Sequence, residues 1–300
     1  MINHSGPSIG ADSDGHSVIA CEACGFAHFW PKPSPEELAA YYARSFYETH
    51  SPSDWFEKEE REEPYWQIEH SDRIKAFSEL SGVSNGRLLD VGCGLGWLLA
   101  YAAESGWDAL GIEPSQAAWE LASTRATVRL GTFPEVDVSD RAPFDAINLK
   151  LVMEHLTEPS GVIDALHSVL RPGGVVCIEV PNDFNRLQLA ARKQLQKPPW
   201  WLVYPVHINY FSFDSLEGLL SRHGFEPVLR EATYPMEWFL FQGIDYIGKD
   251  DVGRTCHAQR MALEMSLEAA GLSDVRRGFR RWLAQQGIGR EVVVYARKAS

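Results

Sequence analysis

Between residues 87 and 180 the chain alternates short apolar runs with amphipathic stretches, the pattern of βαβ units around a parallel sheet. The runs at 87–91, 109–113, 127–130, 144–149 and 175–180 predict strands, the last introduced by the turn Arg171-Pro172-Gly173-Gly174. Helices are predicted at 98–104, 116–124 and 161–170. Upstream, Ser34 and Glu37 form a capping box with Pro35 at the first helical position, so a short helix should follow over 38–42. Trp66, Ile74, Phe77 and Leu80 recur at near-helical spacing and predict a second helix that breaks at Ser81-Gly82, while the acidic stretch 57–63 reads as a solvated helix face or loop. Downstream, Asp214 caps a helix over 215–222 that Gly224 ends. Strands at 228–232 and 291–296 then bracket two amphipathic helices, 259–270 and 275–285. The first 17 residues, rich in Gly, Ser and Asp, predict a loose arm.

Composition narrows the class. At 300 residues, 45% hydrophobic and 23% charged, the chain can bury a sizeable core, which excludes disordered, collagenous and disulfide-scaffold proteins. Lys and Arg number 28 against 41 Asp and Glu, a net charge of −13 that disfavours nucleic acid and anionic membrane as partners. The start of the chain has neither a basic nor an apolar leader region, and no apolar run reaches the roughly 20 residues of a bilayer span. Five scattered cysteines read as reduced thiols, so a cytoplasmic location is expected.

The strongest chemical signal is Leu88-Leu89-Asp90-Val91-Gly92-Cys93-Gly94-Leu95-Gly96-Trp97, a strand entering a glycine turn and a helix. Such a turn lets a ligand approach bare backbone at a helix amino terminus. The spacing is G-x-G-x-G. A dinucleotide site needs its third glycine one position later, where Trp97 stands, and Asp90 would repel a pyrophosphate; both features count against the alternative of a nicotinamide-dependent oxidoreductase. The next strand ends at Glu113, about 20 residues on, where a carboxylate can accept the hydroxyls of a ribose.

These segments resemble the class I S-adenosylmethionine-dependent methyltransferases. Leu-Asp-Val-Gly-Cys-Gly-Leu-Gly is similar to that family's first motif, Gly111-Ile112-Glu113-Pro114-Ser115 to its ribose-binding strand end, Leu151-Val152-Met153-Glu154-His155-Leu156 to the segment after its fourth strand, and Leu170-Arg171-Pro172-Gly173-Gly174 to the turn before its fifth. The resemblance implies a Rossmann-like α/β fold: a mostly parallel seven-stranded sheet with an antiparallel C-terminal strand and helical insertions. It implies S-adenosyl-L-methionine as cofactor and a small-molecule acceptor, with O- or N-methylation favoured over C-methylation. The cofactor residues it implies are Asp90, Gly92, Cys93, Gly94, Gly96, Glu113, Pro114, Thr132, Phe133, Lys150 and Leu151. Relatives usually carry an acidic residue near the position of Thr132 for the adenine amine, and none stands there. A scaffold that keeps the fold without catalysis is the third reading.

On this reading residues 1–80 are an arm and helical cap. Residues 81–300 are the cofactor-binding domain, carrying an aromatic insertion at 183–213 that serves as a lid and a helical insertion at 240–288. Tyr42 or Tyr47 would close the other side. His207, following the fifth strand, is the first candidate base, since a histidine titrates near neutrality; His155 and Tyr210 are the others. Arg276, Arg277, Arg280 and Arg281 are available to an anionic group or simply favour a helix dipole. Cys21 and Cys24 have the spacing of half a zinc site, and some small-molecule methyltransferases similar to this chain carry an amino-terminal zinc knuckle built from two such pairs. No second cysteine pair stands nearby, and although His4, His16 and His28 are possible substitutes, the expectation is a turn without metal.

Overall fold

The computed structural model describes residues 3–41 and 52–299, so Tyr42 and Tyr47 lie outside the described residues. Strands β1 (Ser8–Ala11), β2 (Ser17–Cys21) and β3 (Phe26–Phe29) open the chain, followed by helices α1 (Pro35–Tyr41), α2 (Pro52–Arg61) and α3 (Glu63–Ser81). The βα alternation then runs β4 (Arg87–Val91), α4 (Trp97–Glu104), β5 (Asp108–Glu113), α5 (Gln116–Ala122), β6 (Val128–Leu130), β7 (Phe144–Lys150), α6 (Pro159–Val169) and β8 (Leu170–Pro181). The last third holds α7 (Arg186–Leu195), β9 (Asn209–Tyr210), α8 (Phe213–Arg222), β10 (Phe225–Ala232), α9 (Glu237–Phe241), α10 (Asp250–Ala269), α11 (Ser273–Gln285) and β11 (Glu291–Lys298).

Seven strands make one sheet in the order β10-β11-β8-β7-β4-β5-β6, parallel from β6 through β8 and antiparallel at the C-terminal strands, which is the expected Rossmann-like arrangement. The runs that predicted strands are largely apolar, without strict alternation, because a parallel sheet is covered on both faces. Leu88, Leu89, Ile147, Leu149, Val175, Val176 and Ile178 are all fully buried. Helix α3 ends where Gly82 takes a left-handed conformation, φ +73°, and donates its N–H to Ser78 O, the stop that Ser81-Gly82 predicts. Among the described residues no helix is long and apolar enough to cross a membrane.

The chain divides into two compact units. One comprises Met1–Tyr41, Val180–Gly218 and Arg230–Val293; the other comprises Tyr42–Glu179, Leu219–Leu229 and Val294–Ser300. Within the first, β1, β2, β3 and β9 form a four-stranded antiparallel sheet. The arm expected to be loose therefore contains a strand. Its composition is polar because its order comes from main-chain pairing and from Asp12, which accepts the N–H groups of Asp14 and His16 and closes the β1–β2 turn. The apolar share of that sheet is carried by its partners: Val18, Phe29, Trp201 and Tyr210 form a buried cluster, with Phe184, Trp200 and Tyr204 packed against it. The aromatic residues of 183–213 thus build a core for the first unit, where the sequence suggested a lid.

Candidate functional site

In the second unit, β4 runs directly into the glycine turn. Gly92 and Gly96 have φ of +72° and +77°. A Cβ on Gly92 would lie 2.6 Å from Val152 Cγ2, and one on Gly96 would lie 3.2 Å from Ala122 Cβ, so both positions need glycine for conformation and for space. The turn is fastened from the neighbouring strand: Ile112 O accepts the N–H groups of Gly92 and Cys93 at 2.8 and 3.1 Å. Cys93 itself is buried, which pushes its thiol pKa up and keeps it protonated.

The parallel register Asp90↔Gly111 and Val91↔Ile112 carries Glu113 to the side of this turn. Its Oε2 accepts Gly94 N–H at 2.8 Å and its Oε1 accepts Ser115 N–H at 2.9 Å. Each carboxylate oxygen has about two acceptor sites, so one on each stays open for a ligand hydroxyl. Burial raises the Glu113 pKa, the two N–H groups oppose that, and Asp90 adds to it. Pro114 follows, exposed, and Ser115 caps α5 through Ala118 N–H. The turn after β6 is tied to the same place, since Gly131 N–H donates to Glu113 O at 3.0 Å; it presents Thr132 and the buried Phe133. Thr132 Oγ1 donates to Glu135 Oε2 at 2.9 Å, which supplies an acidic group three residues beyond where sequence reasoning sought one.

At the end of β7, Lys150 Nζ lies 3.6 Å from Glu179 Oε1 and 4.0 Å from the centroid of the Trp66 ring. Leu151 is exposed and has φ +55°, a conformation that costs a non-glycine residue about 1–2 kcal/mol; its N–H donates to Glu179 O at 2.8 Å and holds it there. His155 ends the short 3₁₀ turn Met153–His155, with its Nε2 3.9 Å from Oε1 of the buried Glu154.

Beneath these residues lies a polar row that sequence reasoning missed. The registers Asp90↔Asn148 and Asn148↔Cys177 set three side chains abreast across β4, β7 and β8. Asn148 Nδ2 donates to Asp90 Oδ1 at 2.7 Å, and Arg73 of α3 donates to Asn148 Oδ1 and Cys177 Sγ, each at 2.8 Å, and to Glu179 Oε2. Burial lifts the Asp90 pKa to about 6 even against the Asn148 hydrogen bond and the positive charges of Arg73 and Lys150. The signal was present: Asn148 and Glu179 interrupt the apolar runs 146–149 and 175–180, and a buried polar group there must have a partner.

The other candidates sit in the first unit. His207 is partly buried, its N–H donating to Val203 O at 2.9 Å. Tyr210 is buried, its hydroxyl accepts Val203 N–H at 3.4 Å, and burial pushes its pKa up, so the phenol stays protonated. Tyr210 lines a cavity of about 520 Å³ together with Asp183, Phe184, Phe211 and Arg230. Asp183 Oδ1 accepts Gln188 Nε2 at 2.9 Å, and burial with the carboxyl groups of Glu237 and Glu291 raises its pKa to about 7. The next residue, Phe184, has φ +59°, strain beside a titratable group at a cavity wall. Asp183 was missed because a carboxylate just past a strand end has no motif. Three of the α11 arginines are in ion pairs: Arg276 pairs with Glu268 at 3.1 Å and with Glu264 at 3.8 Å, Arg280 with Glu264 at 3.8 Å, and Arg281 with Glu231 at 3.2 Å.

A glycine turn that a Cβ would fill, an anchored carboxylate with open acceptor sites, and a buried acid able to face a cation together fit a nucleoside that carries a positively charged amino-acid tail. Comparison with known proteins agrees. Two curated relatives are ubiquinone biosynthesis O-methyltransferases. The one from Alkalilimnicola ehrlichii is 34% identical over 110 residues, 34% of this chain and 44% of the relative. The one from Pseudomonas aeruginosa is 27% identical over 135 residues, 43% and 58%. The chain spans about half the length of the curated relatives it matches. Among solved structures, the plantazolicin methyltransferase BpumL in complex with SAH aligns with a TM-score of 0.53 at 15% identity, covering 88% of this chain and 95% of that one. A SAM-dependent methyltransferase from Archaeoglobus fulgidus aligns at 0.51 and 16%, covering 81% and 99%. At such identities the likeness is one of fold. The family model described as a methyltransferase domain matches residues 61–230, more than half of the chain and the whole of the glycine turn, Glu113 and the Asp90 row. This chain therefore belongs to the methyltransferase-domain family, with the Rossmann-like fold of the class I S-adenosylmethionine-dependent methyltransferases.

Proposed function

We propose that the protein transfers a methyl group from S-adenosylmethionine to an oxygen or nitrogen of a small-molecule acceptor in the cytoplasm. The observation that carries the reading is Glu113, fixed by Gly94 and Ser115 N–H at 2.8 and 2.9 Å with acceptor sites to spare beside a glycine turn. Bound there, the cofactor supplies an electrophilic methyl on a sulfonium. Glu113 holds the ribose hydroxyls, Gly92, Cys93, Gly94 and Gly96 give the amino-acid tail bare backbone, and Asp90 offsets its ammonium charge. Pro114, Thr132 and Phe133 flank the adenine, with Lys150 and Leu151 at the mouth of the site.

The reaction asks the protein chiefly for proximity and alignment, worth about 7–11 kcal/mol at best, and for a base. With the cofactor held by these residues, an acceptor hydroxyl or amine would take its methyl group, the electron pair of the broken carbon–sulfur bond staying on sulfur, and the acceptor proton would pass to the base. Asp183, its pKa raised to about 7 by burial beside a cavity of small-molecule size, is one candidate base. His207 and His155 are the alternatives, while Tyr210 serves as a neutral hydrogen-bonding group. An oxygen acceptor also agrees with the names of the curated relatives, of which this chain spans about half. Incubation with methyl-labelled cofactor and a panel of small hydroxyl and amine compounds should label at least one of them at O or N; a protein that neither binds the cofactor nor labels any compound would overturn the reading.

A further inference from the structure

We propose that His4, Cys21, Cys24 and His28 form a tetrahedral zinc site in the first unit. It lies outside residues 61–230, the part the family model covers. One ligand atom from each residue falls within 4.8 Å of the others. His4 Nδ1 is 3.2 Å from His28 Nε2, 3.6 Å from Cys21 Sγ and 3.3 Å from Cys24 Sγ. Around a tetrahedral zinc with its usual bond lengths, nitrogen pairs stand about 3.3 Å apart and nitrogen–sulfur pairs about 3.6 Å. A ring nitrogen carries at most one proton, so hydrogen bonding alone does not explain three donor atoms converging on His4 Nδ1, whereas a shared cation does.

The surroundings prepare the site. His28 is fully buried, and its Nδ1 donates to Phe29 O at 2.7 Å, which leaves the Nε2 lone pair directed at the cluster, the outer hydrogen bond typical of a ligating histidine. Neither cysteine is in a disulfide. Gly25, φ +74°, closes the turn after Cys24, its N–H donating to Cys21 O at 2.9 Å. His4 arrives because residues 5–7 lie along β2, with Glu22 N–H on Ser5 O and Ala20 N–H on Pro7 O. Only glycine permits that approach at position 6, where a Cβ would stand 1.9 Å from Ala20 O. Two thiolates and two neutral imidazoles around a divalent ion sum to zero charge, which suits this degree of burial. His16, the other histidine of the arm, is engaged by Asp12 at 2.7 Å. The ligand strand is also a wall of the cavity's sheet: β3 pairs Ala27↔Tyr210 and His28↔Asn209, so the ion would brace the segment that carries Tyr210.

The test is metal analysis of the full-length protein purified under reducing conditions, followed by titration of the demetallated protein with Co²⁺. About one zinc per chain is expected, and Co²⁺ should give the intense visible bands of a tetrahedral site together with thiolate charge-transfer absorption. Both cysteines should resist alkylation until a strong chelator is added. His4→Ala, at the edge of the fold, should weaken Co²⁺ binding at least about 10-fold while leaving far-ultraviolet circular dichroism unchanged, and Cys21→Ser with Cys24→Ser should abolish it. A reduced, folded protein without zinc that binds Co²⁺ octahedrally or not at all would overturn the proposal, as would zinc retained by the double cysteine variant.

Discussion

Glu113→Ala removes the carboxylate that joins the glycine turn to the end of β5. In the parent, Gly94 and Ser115 N–H already occupy one acceptor site on each oxygen, so two sites remain for two ribose hydroxyls. Each hydrogen bond to a charged group is worth about 1.5–3 kcal/mol, but water and the loosened turn replace part of the loss, and the two bonds do not add. A net loss of about 1.5–3 kcal/mol follows, a rise in the cofactor Kd of about 10- to 150-fold. Isothermal titration with S-adenosylmethionine and with its demethylated product should give the same loss for both, because the ribose is common to them. The two backbone N–H groups also lose a buried acceptor, so thermal unfolding of the variant must accompany the titration. A folded Glu113→Ala protein whose affinity stays within about twofold of the parent would refute the ribose assignment, and a loss confined to one of the two ligands would place the effect elsewhere.

Four further outcomes are expected. Asp90 has its pKa raised from 3.8 to about 6 by burial, so below that pH it is neutral in the folded protein; cofactor affinity should rise as pH climbs through about 6 with proton release near the midpoint, and a flat profile from pH 5 to 8 would contradict the pairing of Asp90 with the cofactor cation. By the same shift, the folded state holds this proton more tightly than the unfolded state between about pH 4 and 6, so the Asp90 contribution to stability falls as pH rises across that window. Arg73→Met leaves the buried Glu179 facing Lys150 alone and should cost about 3–5 kcal/mol in denaturant unfolding, whereas a cost under about 1 kcal/mol would make the network dispensable. Asp183→Asn should remove the rise of kcat/KM with pH near 7 and leave cofactor binding unchanged, while retention of that rise in Asp183→Asn and its loss in His207→Ala would move the base to His207.

The sheet was legible because its central strands are largely apolar runs bounded by turn chemistry, and β4 begins and ends where the pattern places it. Helix boundaries were less so: α10 begins at Asp250, nine residues before its apolar stripe becomes evident, because its first turn opens on the exposed acids Asp250 and Asp251. Strand β1 was invisible, since main-chain pairing leaves no trace in side-chain polarity. The glycine turn and Glu113, which the structure brings together, could be picked out because their signal is local, a glycine turn and one carboxylate at a fixed distance along the chain. The Arg73 row could not, for it joins positions 73, 90, 148, 177 and 179 through sheet register, which periodicity does not encode. The proposed metal cluster is an intermediate case: Cys21 and Cys24 announce themselves by spacing and His4 and His28 stood among the possible partners, but which histidines converge depends on an approach that Gly6 permits.

The most direct test of the account is a crystal structure with S-adenosylhomocysteine bound. The account predicts both ribose hydroxyls on the Glu113 carboxylate, the amino-acid tail over residues 92–96 and its ammonium on the Asp90 side of the turn. A ligand bound away from that turn, or one whose ribose is held by another residue while Glu113 stays on Gly94 and Ser115 alone, would contradict it.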